Sequence, residues 1–98
     1  MSSNKDLRTR KRVEIEMITS YTLARVLPAK DRYVYMNVKA FAEVKDVILT
    51  YGEYDLILKI ELDSLEALDD FVFNKLRMID GVISTTTLLE ANPKTVKE

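Results

Sequence analysis

The chain has no cysteine, no histidine and no tryptophan, and only two glycines and two prolines in 98 residues. Each absence closes off a class of chemistry. Without cysteine there is no disulfide and no thiolate nucleophile or ligand. Without histidine the usual general base near neutral pH is gone, and so is the commonest metal ligand. Two glycines are too few for a phosphate-cradling loop of either common type, and no such motif is present. The start of the chain is charged and polar, with neither a signal-peptide core nor an apolar stretch long enough to span a membrane. The expectation is a soluble cytoplasmic protein that uses no metal and no cofactor. No carboxylate spacing suggests an all-oxygen metal site.

What is present suits a single small domain. Hydrophobic residues make up 47% of the chain, enough for a core with apolar surface left over for a partner. A chain of this size buries roughly two thirds of the surface its unfolded form exposes. The net charge of -1 conceals an asymmetry. Residues 1–12 carry Lys5, Arg8, Arg10, Lys11 and Arg12 against Asp6 alone, which is +4 and leaves -5 for the remainder. Residues 1–12 therefore read as a basic, disordered arm, 13–91 as the folded domain and 92–98 as a tail after Asn92-Pro93. Any DNA binding should be weak and confined to the arm.

The most informative stretch is Thr50–Leu62, TYGEYDLILKIEL. Val47-Ile48-Leu49 enters a turn at Gly52, and Leu56, Leu58, Ile60 and Leu62 then alternate with Ile57, Lys59 and Glu61. A period of two predicts a β-hairpin whose second strand has one apolar face. Upstream, Val13–Leu27 predicts a central strand, because neither of its faces is polar: Ile15, Met17, Thr19, Tyr21 and Leu23 form one, and Ile18, Ser20, Thr22, Ala24 and Val26 the other. Pro28 ends it. Lys30–Ala42 predicts a helix burying Val34, Val38, Phe41 and Ala42, with Tyr33, Met36 and Ala40 turned away. Leu65–Arg77 predicts a second, with Asp63 and Ser64 as rival caps and a stripe of Leu65, Leu68, Val72, Leu76 and Ile79. Phe71 and Phe73 should flank that stripe. Gly81 permits a reversal into a last strand, Val82–Leu89.

The order is β-α-β-β-α-β, and Phe41-Ala42-Glu43-Val44 is echoed by Ile79-Asp80-Gly81-Val82. Two βαβ halves joined by a hairpin define a ferredoxin-like α+β sandwich, a four-stranded antiparallel sheet with both helices on one face. Ile57 and an apolar row of the first strand would stay on the open face, which a second copy would cover.

Little catalytic chemistry can be assembled from these residues, and an enzyme is not expected. The adjacent carboxylates Asp69 and Asp70 read as a solvated helix face. Two polar clusters remain. One is the hairpin mouth, with Gly52, Tyr54 and Asp55. The other is Ser84-Thr85-Thr86-Thr87, where alternation sends Thr85 and Thr87 to one face. A carboxylate with hydroxyls and backbone groups suits the ammonium and carboxylate of a free amino acid.

These features carry a resemblance. Gly52-x-x-Asp55, the apolar strand after it, the DSLEALDDF helix and Gly81-Val82-x-x-Thr85-x-Thr87 resemble the effector-sensing (RAM) domain of the Lrp/AsnC feast/famine regulators. The likeness covers about residues 18–90. It implies a subunit that dimerises through its sheet, dimers that join into larger rings such as octamers, and an amino-acid effector between dimers. The positions matching the effector site are Gly52, Tyr54, Asp55, Thr85 and Thr87. Residues 1–17 cannot hold the helix-turn-helix of full-length members, so a stand-alone sensing domain is expected. Its partners would include full-length regulators with the same domain. An ACT-like module shares the element order, and a dimeric α/β-barrel enzyme is a third reading that the lack of histidine and tryptophan opposes.

Overall fold

Four strands and two helices form in the expected order in the computed structural model, which describes residues 17–91. The basic arm, the start of the expected first strand at 13–16 and the tail at 92–98 lie outside the described residues. Strand β1 is Ile18–Val26, helix α1 Asp31–Lys39, β2 Val44–Leu49, β3 Leu56–Leu62, helix α2 Leu65–Phe71 and β4 Val82–Leu89. The sheet order is β2-β3-β1-β4 and every pair is antiparallel. This is the ferredoxin-like α+β arrangement.

Alternation decides which side chains are dry. Leu56, Leu58 and Ile60 of β3 and Ala24 and Val26 of β1 are buried against Val34 and Val38 of α1 and Leu68 and Phe71 of α2. Both helices therefore cover one face of the sheet. On the other face the register lines up Ile48, Ile57, Leu23 and Thr86 in one row and Asp46, Lys59, Tyr21 and Leu88 in the next. Ile48 and Leu88 are 51% and 52% exposed, so this apolar surface is left open by the described residues.

Local chemistry refines the expected boundaries. Pro28 starts a 3₁₀ turn, Pro28–Lys30, that leads into α1, so the helix proper is shorter than expected and ends at Lys39. At α2 the rivalry of caps is settled for Ser64, whose Oγ accepts from the Ala67 amide at 3.0 Å. Leu65, expected in the buried stripe, is the first residue of the helix and is 54% exposed. Phe71, expected on a flank, is buried and meets Phe41 edge to face at 5.2 Å. Helix α2 then passes into a π-helical turn, Val72–Leu76, closed by the Arg77 amide on the Val72 carbonyl at 2.9 Å. The sequence echo is structural: the Val44 amide bonds Phe41 O and the Val82 amide bonds Ile79 O, each at 3.2 Å.

The two glycines face different constraints. Both have positive φ, +119° at Gly52 and +108° at Gly81. A Cβ on Gly52 would meet nothing within 4 Å, whereas one on Gly81 would lie 2.7 Å from Lys30 Cβ. Gly81 also accepts the Leu27 amide at 2.9 Å, and its neighbour Asp80 pairs with Lys30 at 2.9 Å. Alanine at Gly52 should cost the backbone term, about 1–2 kcal/mol. Alanine at Gly81 should add a packing term of about 1–3 kcal/mol. Urea denaturation of the two variants checks the order, and equal losses would contradict it.

Candidate functional site

The hairpin mouth is built by Thr50–Asp55, the residues left between the Leu49–Leu56 pair and the turn. The Thr50 amide donates to Asp55 O at 2.9 Å and the Thr50 hydroxyl to Tyr54 O at 2.7 Å, so the loop is closed on itself. Gly52 supplies the positive φ that the reversal needs. Tyr51 is fully exposed. Tyr54 is half-buried, and its hydroxyl lies 3.3 Å from that of Thr86.

Asp55 holds the end of the central strand. Its amide donates to Ala24 O at 2.9 Å, and its Oδ2 accepts from the Val26 amide at 2.8 Å. Ala24 is the last residue of β1 paired with β3. Val26 is paired with Val82 of β4 but has no partner residue on the β3 side, where the Asp55 carboxylate accepts its amide. The contact spans 29 residues, so it fastens two strands rather than its own turn. Beside it is a cleft of about 270 Å³ lined by Asp31, Leu49, Thr50, Tyr51 and Asp55. Two carboxylates and no cation face that space.

The threonines lie elsewhere. Thr85 pairs with Ala24 and Thr87 with Thr22, on the helix side of the sheet. The Thr22 and Thr87 hydroxyls are 3.2 Å apart. Both Thr85 and Thr87 line a second cleft, of about 240 Å³, whose other walls are Leu68, Asp69, Val72, Phe73 and Arg77. Strand β1 stands between β3 and β4, so the backbones of the two groups are about two strand spacings, roughly 10 Å, apart in one subunit, and only the Tyr54 hydroxyl reaches across, to Thr86. The structure thus brings Gly52, Tyr54 and Asp55 together, places Thr85 and Thr87 together, and does not join the two sets. Thr86, not singled out from the sequence, is the threonine that reaches Tyr54. Alternation already set it apart from its neighbours. Asp31 and Arg77 were also missed; nothing local in the sequence marks either.

Among the described residues, two ion pairs join separate segments at the periphery. Lys75 Nζ is 2.7 Å from Glu43 Oε2, and this hydrogen bond holds the Glu43 carboxyl below its ordinary range. Lys30, bonded to Asp80, is raised for the converse reason. The Arg77 guanidinium lies 5.2 Å from the Phe73 ring centroid, within cation–π range. Among the described residues no group of three or more carboxylates is placed to hold a metal.

Comparison with known proteins identifies this arrangement. The Lrp/AsnC ligand binding domain family matches residues 29–95. The uncharacterized HTH-type transcriptional regulator PH0140 of Pyrococcus horikoshii is 30% identical over 67 residues, 68% of this chain and 42% of that protein. The chain thus spans about two fifths of the curated relatives it matches. Among solved structures, FFRP-DM1 is 36% identical with a TM-score of 0.73, over 76% of this chain and 99% of that one. The regulator NMB0573 of Neisseria meningitidis, solved as a complex with L-Met, shares the fold at 18% identity. Its TM-score is 0.73, over 95% of this chain and 61% of that one.

The Asp55 contact makes a stability prediction that is independent of any ligand. Asp55→Ala leaves the half-buried Val26 amide without its acceptor and should cost about 1–3 kcal/mol. Asp55→Asn keeps an oxygen in place and should cost less. Thermal melting of the ligand-free variants checks this; an Asp55→Ala protein as stable as wild type would show that the amide finds another partner.

Proposed function

The chain belongs to the Lrp/AsnC ligand binding domain family, and from that premise we propose that it is an oligomeric sensing module for a free amino acid. It is read as a binding protein, not an enzyme, that works in the cytoplasm and acts through partner regulators carrying the same domain. The observation that carries this reading is the division of the candidate residues. Gly52, Tyr54 and Asp55 sit at one rim of the sheet and Thr85 and Thr87 beyond β1, so a site using both sets needs a second subunit. The complex of NMB0573, a regulator of the same fold, with L-Met supports the choice of an amino acid as effector. The ACT-like and barrel-enzyme readings have no comparable support.

Assembly follows from the open face. Tyr21, Leu23, Ile48, Ile57 and Leu88 form an apolar surface with the charges Asp46 and Lys59 at one side. A second copy buries it, and such dimers associate further into rings, an octamer among them. A stable interface of this kind buries more than ~1,000 Å² in total. No helix among the described residues is long and apolar enough to cross a membrane. DNA contact through the basic arm is weak.

Two measurements test the proposal. Thermal-shift screening against the common amino acids should raise the melting temperature with at least one, since a ligand present at 100 times its Kd stabilises by about 2.7 kcal/mol. No shift with any of them would refute amino-acid sensing. Light scattering should find no monomer at micromolar concentration, and Leu23→Asp, which places a charge in the centre of the open face, should produce one. A wild-type monomer would refute the assembly.

A further inference from the structure

We propose that the cleft between α2 and β4 is the place where the effector's carboxylate is held, with Arg77 as the residue that receives it. The proposal rests on the reading above only for the ligand class, a free amino acid; the location comes from the cleft itself. At about 240 Å³ the cleft is smaller than the ~300–1,000 Å³ pockets of drug-sized ligands. It suits a molecule the size of an amino acid. The side chains at its wall match one in chemistry as well. Arg77 offers a forked cation to a carboxylate, Asp69 an acceptor to an ammonium, and Thr85 and Thr87 neutral hydroxyls. Val72 and Phe73 supply an apolar wall for a side chain.

Three observations make this more than a collection of neighbours. First, the π-helical turn puts Arg77 there. In an unbroken α-helix a residue five positions on is rotated about 140° from the first. Here the Arg77 amide bonds the Val72 carbonyl at 2.9 Å, and the extra residue in the turn brings Arg77 round to the side of Val72. Single π turns inside helices frequently mark functional positions. Second, the charges are left available. Among the described residues neither Arg77 nor Asp69 takes part in an ion pair, while the neighbouring Lys75 is committed to Glu43. The Arg77 guanidinium is steadied over the Phe73 ring, so less side-chain freedom is lost when a carboxylate binds. Third, the alternative place lacks the needed group. The cleft at the hairpin mouth presents Asp31 and Asp55 and no cation, and so it repels a carboxylate.

The experiment is isothermal calorimetry on the full chain with each common L-amino acid, repeated for the best binder on Arg77→Met, Arg77→Lys and Asp69→Asn. The best binder's decarboxylated amine serves as the second probe. Arg77→Met should weaken binding of the amino acid at least about tenfold, as expected for loss of a charge-assisted contact. It should also erase the wild-type preference for the amino acid over the amine, and Arg77→Lys should restore part of both. Arg77 is exposed, so oligomer size and the ligand-free melting temperature should not change. Amide hydrogen exchange should slow in 72–77 and 85–87 when the ligand binds. Wild-type affinity and preference in Arg77→Met, or protection confined to the hairpin 50–55, would overturn this location while leaving amino-acid sensing intact. Failure of the wild-type chain to bind any amino acid would overturn both.

Discussion

The structure depends on keeping one row of β1 dry. Ser20, Thr22 and Ala24 are each 0% exposed, with Val26 continuing the row. Their small side chains leave room beneath the helices, and the bulk of the core comes from their neighbours: Leu56, Leu58 and Ile60 on β3, Phe71, Val72 and Leu76 after the second cap. Two hydroxyls in such a row have to be accommodated, because a buried polar group without a partner costs about 1–3 kcal/mol. Thr22 meets Thr87 across the strands. Ser20 Oγ has no partner among the described residues, so the row carries a small polar debt offset by packing. The strand's end is closed from β3's side by the Asp55 carboxylate on the Val26 amide. Remove that closure and the inner row would open to water at its most apolar end.

That dry row also sorts the surface. With the helices committed to one face, the apolar residues of β1, β2 and β3 on the opposite face have nothing among the described residues to cover them. The polar groups suited to a ligand are pushed to the rims, because the interior has no space for them. One rim is the hairpin mouth, acidic through Asp31 and Asp55. The other is the edge of β4, where α2 leans away enough to leave a cleft bearing both charge signs. The two rims have different electrostatic character, which fits them for different parts of a zwitterion or for different molecules.

Much of this was legible in the chain because it is local. The alternation in Leu56–Leu62 gives β3 and its buried face, the Val34 and Val38 spacing gives the inner face of α1, and the repeat of β-α-β around the hairpin gives the topology. Strand β4 runs over the residues that its pattern predicts. Contacts between distant segments were not legible. Asp55 reads as a ligand-facing residue at the hairpin mouth, and its partner Val26 lies 29 positions away. Leu65, the first residue of α2, stays exposed although it lies on the apolar stripe, while Phe71, a flank residue by pattern, goes in. The π turn is invisible to a 3.6-residue period, and with it the position of Arg77. The expected site residues were chosen as one group because sequence gives faces and not distances; β1 standing between β3 and β4 divides them.

The division bears on how a domain of this ligand binding family could respond to a ligand. Strand β1 touches everything involved. Its end is tied to Asp55, its inner row meets Thr87, and its outer row, Tyr21 and Leu23, lies on the open face. A ligand shifts an assembly equilibrium only by the difference in its affinity for the two states. A site wholly inside a rigid subunit binds alike in monomer and ring and shifts nothing. A site whose walls depend on β1 or on a second subunit differs between them, and by reciprocity assembly then tightens the ligand by the same factor. Polar groups at rims on both sides of a strand that also serves the open face therefore stand where a bound molecule and a second copy would meet the same strand.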